Sequence, residues 1–153
     1  MKRQRRTPRS IVKIDLKNGY YNYAQLLENG IAFFDIYTKD PELEDLSILL
    51  EKPVLFIVSV YRDVISTGLW LKIGKLPIRE DLKTLPMECI QDALDDTIFR
   101  LYNPNTGEMT KATREECEGL ETCAVWEAYH VESRLRDHYN GVPNDIVEAL
   151  KIK

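Results

Sequence analysis

The sequence predicts an α+β fold: an N-terminal antiparallel meander leading into a curled, mainly antiparallel sheet, covered by short helices and followed by a C-terminal helical segment. Three observations predict it. Apolar and polar residues alternate from Ile11 to Leu16, the period of a half-buried strand. Asn18-Gly19 and Asn29-Gly30 supply the positive φ angles that tight hairpin turns require. Pro53-Val54-Leu55-Phe56-Ile57-Val58-Ser59-Val60 is a β-branched apolar run too short for a bilayer. It predicts a strand inside the sheet, buried on both faces.

The elements follow in order. After the first strand, a second runs from Tyr20 to Leu27 and carries Tyr20, Tyr21 and Tyr23, and a third runs from Ile31 to Tyr37. Asp40-Pro41-Glu42 combines a capping side chain, a proline and an acid in the pattern of a helix start. Leu43, Leu46, Leu49 and Leu50 would share one face of that helix, which Lys52-Pro53 ends. Beyond the apolar run, residues 61–67 predict a turn or one short helix, and Leu69 to Ile73 another strand closed by Gly74. Ile78, Leu82 and Leu85 are spaced for a second short helix.

Met87 to Gln91 and Thr97 to Tyr102 read as strands, the latter turning through Pro104-Asn105-Thr106-Gly107 into Glu108 to Lys111. Thr113 and Glu116 have capping-box spacing for a helix over 114–118 that stops at Gly119. A longer helix is expected over 126–139, with Val131, Leu135 and Tyr139 on one stripe and Glu132 placed to pair with Arg136. Asn140-Gly141 ends it, and Asn144 would cap a last helix carrying Ile146, Val147 and Leu150.

The 153 residues are enough for one domain that buries roughly 70% of its unfolded surface. The charge is uneven. Lys2, Arg3, Arg5, Arg6 and Arg9 place five of the 21 basic residues in the first ten positions. The remainder holds 16 basic against 25 acidic residues, a net of −9. Residues 1–10 are therefore expected to form a basic flexible tail and residues 11–153 a single acidic domain. No apolar h-region follows the basic head, so no secretory signal is expected. Cys89, Cys117 and Cys123 are an odd set without a CxxC pair, which fits a reducing cytoplasm and argues against a disulfide framework or zinc site.

The chemistry-bearing residues are few. His130 and His138 are eight apart on one predicted helix, about 12 Å along its axis, too far for one metal. Cys117 with His130 could form a nucleophile and base, but Cys117 falls at the C-terminal end of its helix, where the dipole disfavours a thiolate. Asp92, Asp95 and Asp96, and Glu115, Glu116, Glu118 and Glu121, are read as solvated acidic faces. Tyr20, Tyr21, Tyr23 and Trp70 are candidates for a contact surface. No phosphate loop, nucleophile elbow or paired-carboxylate motif is present, and no catalytic, metal or cofactor site is expected.

The series Ile31-Ala32-Phe33-Phe34-Asp35-Ile36-Tyr37, Pro53 to Val58, Ala112 to Glu121, Ala124-Val125-Trp126 and His130 to Tyr139 resembles the immunity protein 26 family of bacterial polymorphic toxin systems. The resemblance runs from about residue 11 to the end. It implies a non-enzymatic antitoxin that binds a cognate toxin domain in the producing cell. An acidic body is compatible with a toxin that cleaves nucleic acid through a basic active site. The partner-facing residues are then expected to be Glu115, Glu116, Glu118 and Glu121, with Tyr20, Tyr21, Tyr23 and Trp70. The alternatives are a nucleic-acid-binding module using the basic tail and a small hydrolase using Cys117 or the acidic cluster.

Overall fold

Residues 3–153 are described by a computed structural model; Lys2 of the basic head lies outside the described residues. The chain is α+β and divides into two compact units, each built from two separate stretches of sequence.

The first unit comprises residues 1–78 and 125–144 and holds a six-stranded sheet. Its strands are β1 (Ser10–Asp15), β2 (Tyr21–Leu26), β3 (Ile31–Phe34), β4 (Val54–Val60), β5 (Leu71–Lys75) and β9 (Val125–Trp126). They lie in the order β5-β1-β2-β3-β4-β9. The two Asn-Gly turns make the β1-β2-β3 meander, with Gly19 at φ 87° and Gly30 at φ 82°. Every pairing is antiparallel except β4 with β9. The sheet is open, with β5 and β9 at its margins, and register shifts mark β1 at Ile11/Val12 and β3 at Phe33/Phe34.

The strand buried along its whole length is β3, joined by β2 from Asn22 to Leu26. The apolar run expected to be buried on both faces is β4, and there only Val58 is buried. The reason lies in its neighbour. Strand β9 pairs with Ser59 and Val60 alone, so the rest of β4 runs along the margin of the sheet. Phe33 is the centre of the aromatic core, stacked on Phe56 at 4.8 Å and edge-on to Trp70 at 5.7 Å.

The helix expected from Asp40 is absent. Asp45 instead caps a six-residue 3-10 helix, Leu46–Glu51, by accepting from the Ser47 N–H, and only Leu49 is buried. The Leu43, Leu46, Leu49 spacing is three residues, which suits a 3-10 turn as well as an α-helix. Helix α1 (Asp63–Ser66) follows β4. The expected 126–139 helix begins later, because Val125 and Trp126 pair with β4; helix α3 spans Ala128–Asn140 and ends at Gly141, φ 70°. The N-terminal segment is tied to this unit. The Gln4 amide bonds the Ile65 and Trp70 carbonyls and the Lys72 N–H, and Arg6 donates to the Leu27 and Gly30 carbonyls.

The second unit comprises residues 79–124 and 145–153. A 3-10 turn, Glu80–Leu82, stands where a second short helix was expected. Three antiparallel strands follow, β6 (Glu88–Gln91), β7 (Phe99–Tyr102) and β8 (Met109–Ala112), in the order β6-β7-β8. Helices α2 (Arg114–Cys117) and α4 (Asp145–Leu150) complete the unit. Its core is small: Cys89, Phe99 and Cys117, with Leu101, Ala112, Leu120 and Ile152 packed on them.

Candidate functional site

One concavity of the first unit is built around a buried acid. Val131 and Leu135 turn α3 inward, and Glu132, beside them on the helix, is carried in with them and left 4% exposed. A carboxylate removed from water requires donors. It has two: the indole Nε1 of Trp70 at 3.0 Å on Oε2 and Lys17 Nζ at 3.0 Å on Oε1. Lys17 is positioned by the β1-β2 turn, where it takes a left-handed φ of 63° and its N–H bonds the Asp15 carboxylate. The expected Glu132–Arg136 pair is replaced by these contacts, and Arg136 donates to the Leu16 carbonyl at 2.8 Å.

Above this group opens a cleft of about 620 Å³. Its apolar lining includes Val64 and Ala128, which are buried, and Leu69 and Tyr129, which are 46% and 62% exposed. Asp63 and Glu127, both exposed, join Lys17, Glu132 and Arg136 as its charged groups. Glu127 stands at the N-cap of α3 without a side-chain capping bond.

A second feature of this unit is an aromatic stack. Tyr20 and Tyr37 lie parallel at 3.9 Å, and Tyr37 lies on Tyr139 at 4.4 Å. Lys39 Nζ sits 5.5 Å from the Tyr20 ring, and the Tyr139 hydroxyl donates to Asp35 at 2.8 Å. Burial and the adjacent Asp35 carboxylate raise the Tyr139 hydroxyl well above the ordinary tyrosine range. Tyr21 lies under Lys13 at 5.4 Å.

In the second unit, the Thr113 side chain accepts from the Glu116 N–H and the Glu116 carboxylate accepts from the Thr113 N–H, closing a capping box around α2. Glu115 and Glu118 are exposed, while Glu121 is half-buried. Cys117 is 1% exposed, with its thiol 3.6 Å from the Arg100 carbonyl. Burial, with Cys117 alongside, pushes the Cys89 thiol up to about 12, and burial beside Glu88 pushes the Cys123 thiol up to about 11. Among the described residues, no group of three or more His, Cys, Asp or Glu is placed to hold a metal ion, and no helix is long and apolar enough to cross a membrane.

A family model described as Immunity protein 26 matches residues 8–99, more than half of the chain. The chain belongs to the immunity protein 26 family. No curated protein and no solved structure matches it. The family match covers β1 to β6 and ends at Phe99, so the quoted blocks from Ala112 to Tyr139 lie outside it.

Within this family member, the residues singled out from sequence separate by burial. Tyr23 and Trp70 are 0% exposed and belong to the core: Tyr23 lies in the continuously buried stretch of β2, and Trp70 stands just before β5. Tyr20 and Tyr21 are half-buried. Glu116 is engaged by its cap, leaving Glu115 and Glu118 as the open carboxylates of that turn. Sequence reasoning missed the convergence of Glu132, Lys17, Asp63 and Glu127 on one cleft. The position of Glu132 between Val131 and Leu135, on the inward stripe, was the available signal for the first of these.

Proposed function

We propose that this chain is a non-enzymatic immunity protein that binds a cognate toxin domain of a polymorphic toxin system in the cytoplasm of the producing bacterium and blocks it. Membership of the immunity protein 26 family is the observation that carries this reading. The location of charge supports a basic partner surface. The second unit holds 13 acidic against seven basic residues, a net of −6 on 55 of the 153 positions. Such a field steers a cationic protein toward it and repels nucleic acid.

The partner is therefore inferred to be a toxin domain with a basic active site, such as a nuclease. Glu115 and Glu118, with Glu121 and the cap-engaged Glu116, are the carboxylates proposed to face it. Tyr20 and Tyr21 are the remaining aromatic candidates. Arg6 is half-buried and donates to two carbonyls, which removes one arginine of the head from phosphate binding; burial, with Arg62 nearby, lowers its pKa. The burial of Cys117 keeps the candidate nucleophile from a substrate.

The test is growth of a sensitive cell expressing the toxin domain encoded beside this gene, with and without this chain, followed by co-purification. Rescue with a stable complex is expected. Rescue without a complex would replace direct inhibition by modification of the toxin or its target. Reversing Glu115, Glu118 and Glu121 to lysine is expected to slow association about tenfold or more at low salt and to flatten its salt dependence. An unchanged rate would move the interface elsewhere.

A further inference from the structure

We infer that the cleft over Glu132 is an arginine slot: it accepts a single arginine side chain presented by a protein partner. The inference draws on the immunity reading only for the identity of that partner. The slot itself is argued from its lining.

Both cations of the cleft have partners of their own. Lys17 is bound to Glu132, and Arg136 donates to the Leu16 carbonyl. Among the described residues, the Asp63 and Glu127 side chains take part in no hydrogen bond or ion pair, although both border the same concavity. Three carboxylates, Asp63, Glu127 and Glu132, against two cations, Lys17 and Arg136, leave the cleft with an excess of negative charge that favours a cation. The apolar lining narrows which cation fits. Val64, Ala128 and Leu69 offer a surface for an aliphatic stem, and Tyr129, 62% exposed with its ring tilted against His130 at 4.1 Å, brings an aromatic ring to the same lining.

A long side chain with a methylene stem and a cationic head matches that sequence of surfaces. Arginine matches it better than lysine. Its planar guanidinium stacks on an aromatic ring and donates to two carboxylates at once, whereas an ammonium is a compact and strongly hydrated point charge.

The experiment uses the full chain, uniformly labelled with nitrogen-15, titrated with Nα-acetyl-arginine amide and followed by amide chemical shifts. Matched titrations use Nα-acetyl-lysine amide, Nα-acetyl-norleucine amide and Nα-acetyl-glutamate amide. Saturable shifts at Leu69, Ala128 and Tyr129 are expected with the arginine probe, about tenfold weaker binding with norleucine, and an intermediate result with lysine. The double variant Asp63→Asn, Glu127→Gln is expected to reduce arginine binding about tenfold; both positions are exposed, so its spectrum should otherwise overlay the parent.

Shifts of equal affinity for norleucine and arginine would overturn the proposal, as would a preference for the glutamate probe or an absence of shifts at the cleft. The immunity reading is judged separately by rescue and co-purification. A slot that titrates in a chain that rescues nothing overturns that reading alone. A rescuing chain whose cleft ignores arginine overturns the slot alone.

Discussion

Glu132 shows how a single side chain is costly to place and costly to remove. Its two contacts differ in worth. The Lys17 side chain is 57% exposed, so water competes for that ion pair and its contribution is at most ~1 kcal/mol. The Trp70 indole is fully buried, and an N–H left without an acceptor there costs about 1–3 kcal/mol. Urea unfolding should therefore show Glu132→Ala destabilised by about 2 kcal/mol and Lys17→Met by less than ~1 kcal/mol. The phenols supply a pH dependence. Tyr23 is pushed up to about 12 by burial, with Asp40 adding to it, and Tyr139 is raised further by burial and Asp35. The unfolded chain releases these protons near pH 10 and the folded chain later, so the folded state binds more protons above that point. Their stabilisation is complete below about pH 10 and falls as pH climbs toward about 12. Unfolding free energies measured across that window should decline, and more steeply in the parent than in Tyr139→Phe. Much of this residue-level chemistry could not be read ahead. The i,i+4 rule pairs Glu132 with Arg136 on an isolated helix, and a partner 115 positions away, Lys17, outbids it only once the sheet exists.

At the scale of elements, local chemistry was legible at several turns and caps that complete themselves within a few residues, though not at Asp40-Pro41-Glu42, where no helix starts. The Asn-Gly turns, the Thr113–Glu116 capping box and the Gly141 stop are all present. Gly30 is the most constrained of the hairpin glycines. At φ 82°, an added Cβ would also lie 3.3 Å from the Ile57 side chain, so Gly30→Ala should lower stability by about 1–2 kcal/mol in thermal or urea unfolding. Thr113→Ala removes the acceptor for the Glu116 N–H and should cost about 1 kcal/mol. The cysteines of the second unit report on the same core. Cys89 and Cys117 should resist iodoacetamide in the folded protein at pH 8 and react in denaturant, because both are buried and only a thiolate attacks. Elements failed to be legible where their length falls below one period. Strand β9 has two residues and no alternation to display, and the Leu43-Leu46-Leu49 spacing cannot separate a 3-10 turn from an α-helix.

At the scale of the whole molecule, the α+β class followed from the N-terminal meander and the short helix signals after it, but the pairing of distant strands did not. Strand β5 joins β1 across some sixty residues, and β9 joins β4 across a similar span, with nothing local to announce either. The basic head was visible along the sequence, but not the share of each unit: the second unit carries a net of −6 in a chain whose net is −4. The arrangement of those units carries a further consequence for how the protein is made. Each is interrupted in sequence by the other, so five of the six strands in the first unit's sheet are synthesised long before α3 brings Glu132 to Trp70. A ribosome releasing β1 to β5 thus exposes an apolar sheet whose lid is still being translated. Such a nascent chain invites chaperone capture. The first unit is complete only once residue 144 has emerged, which makes its closure depend on the timing of translation.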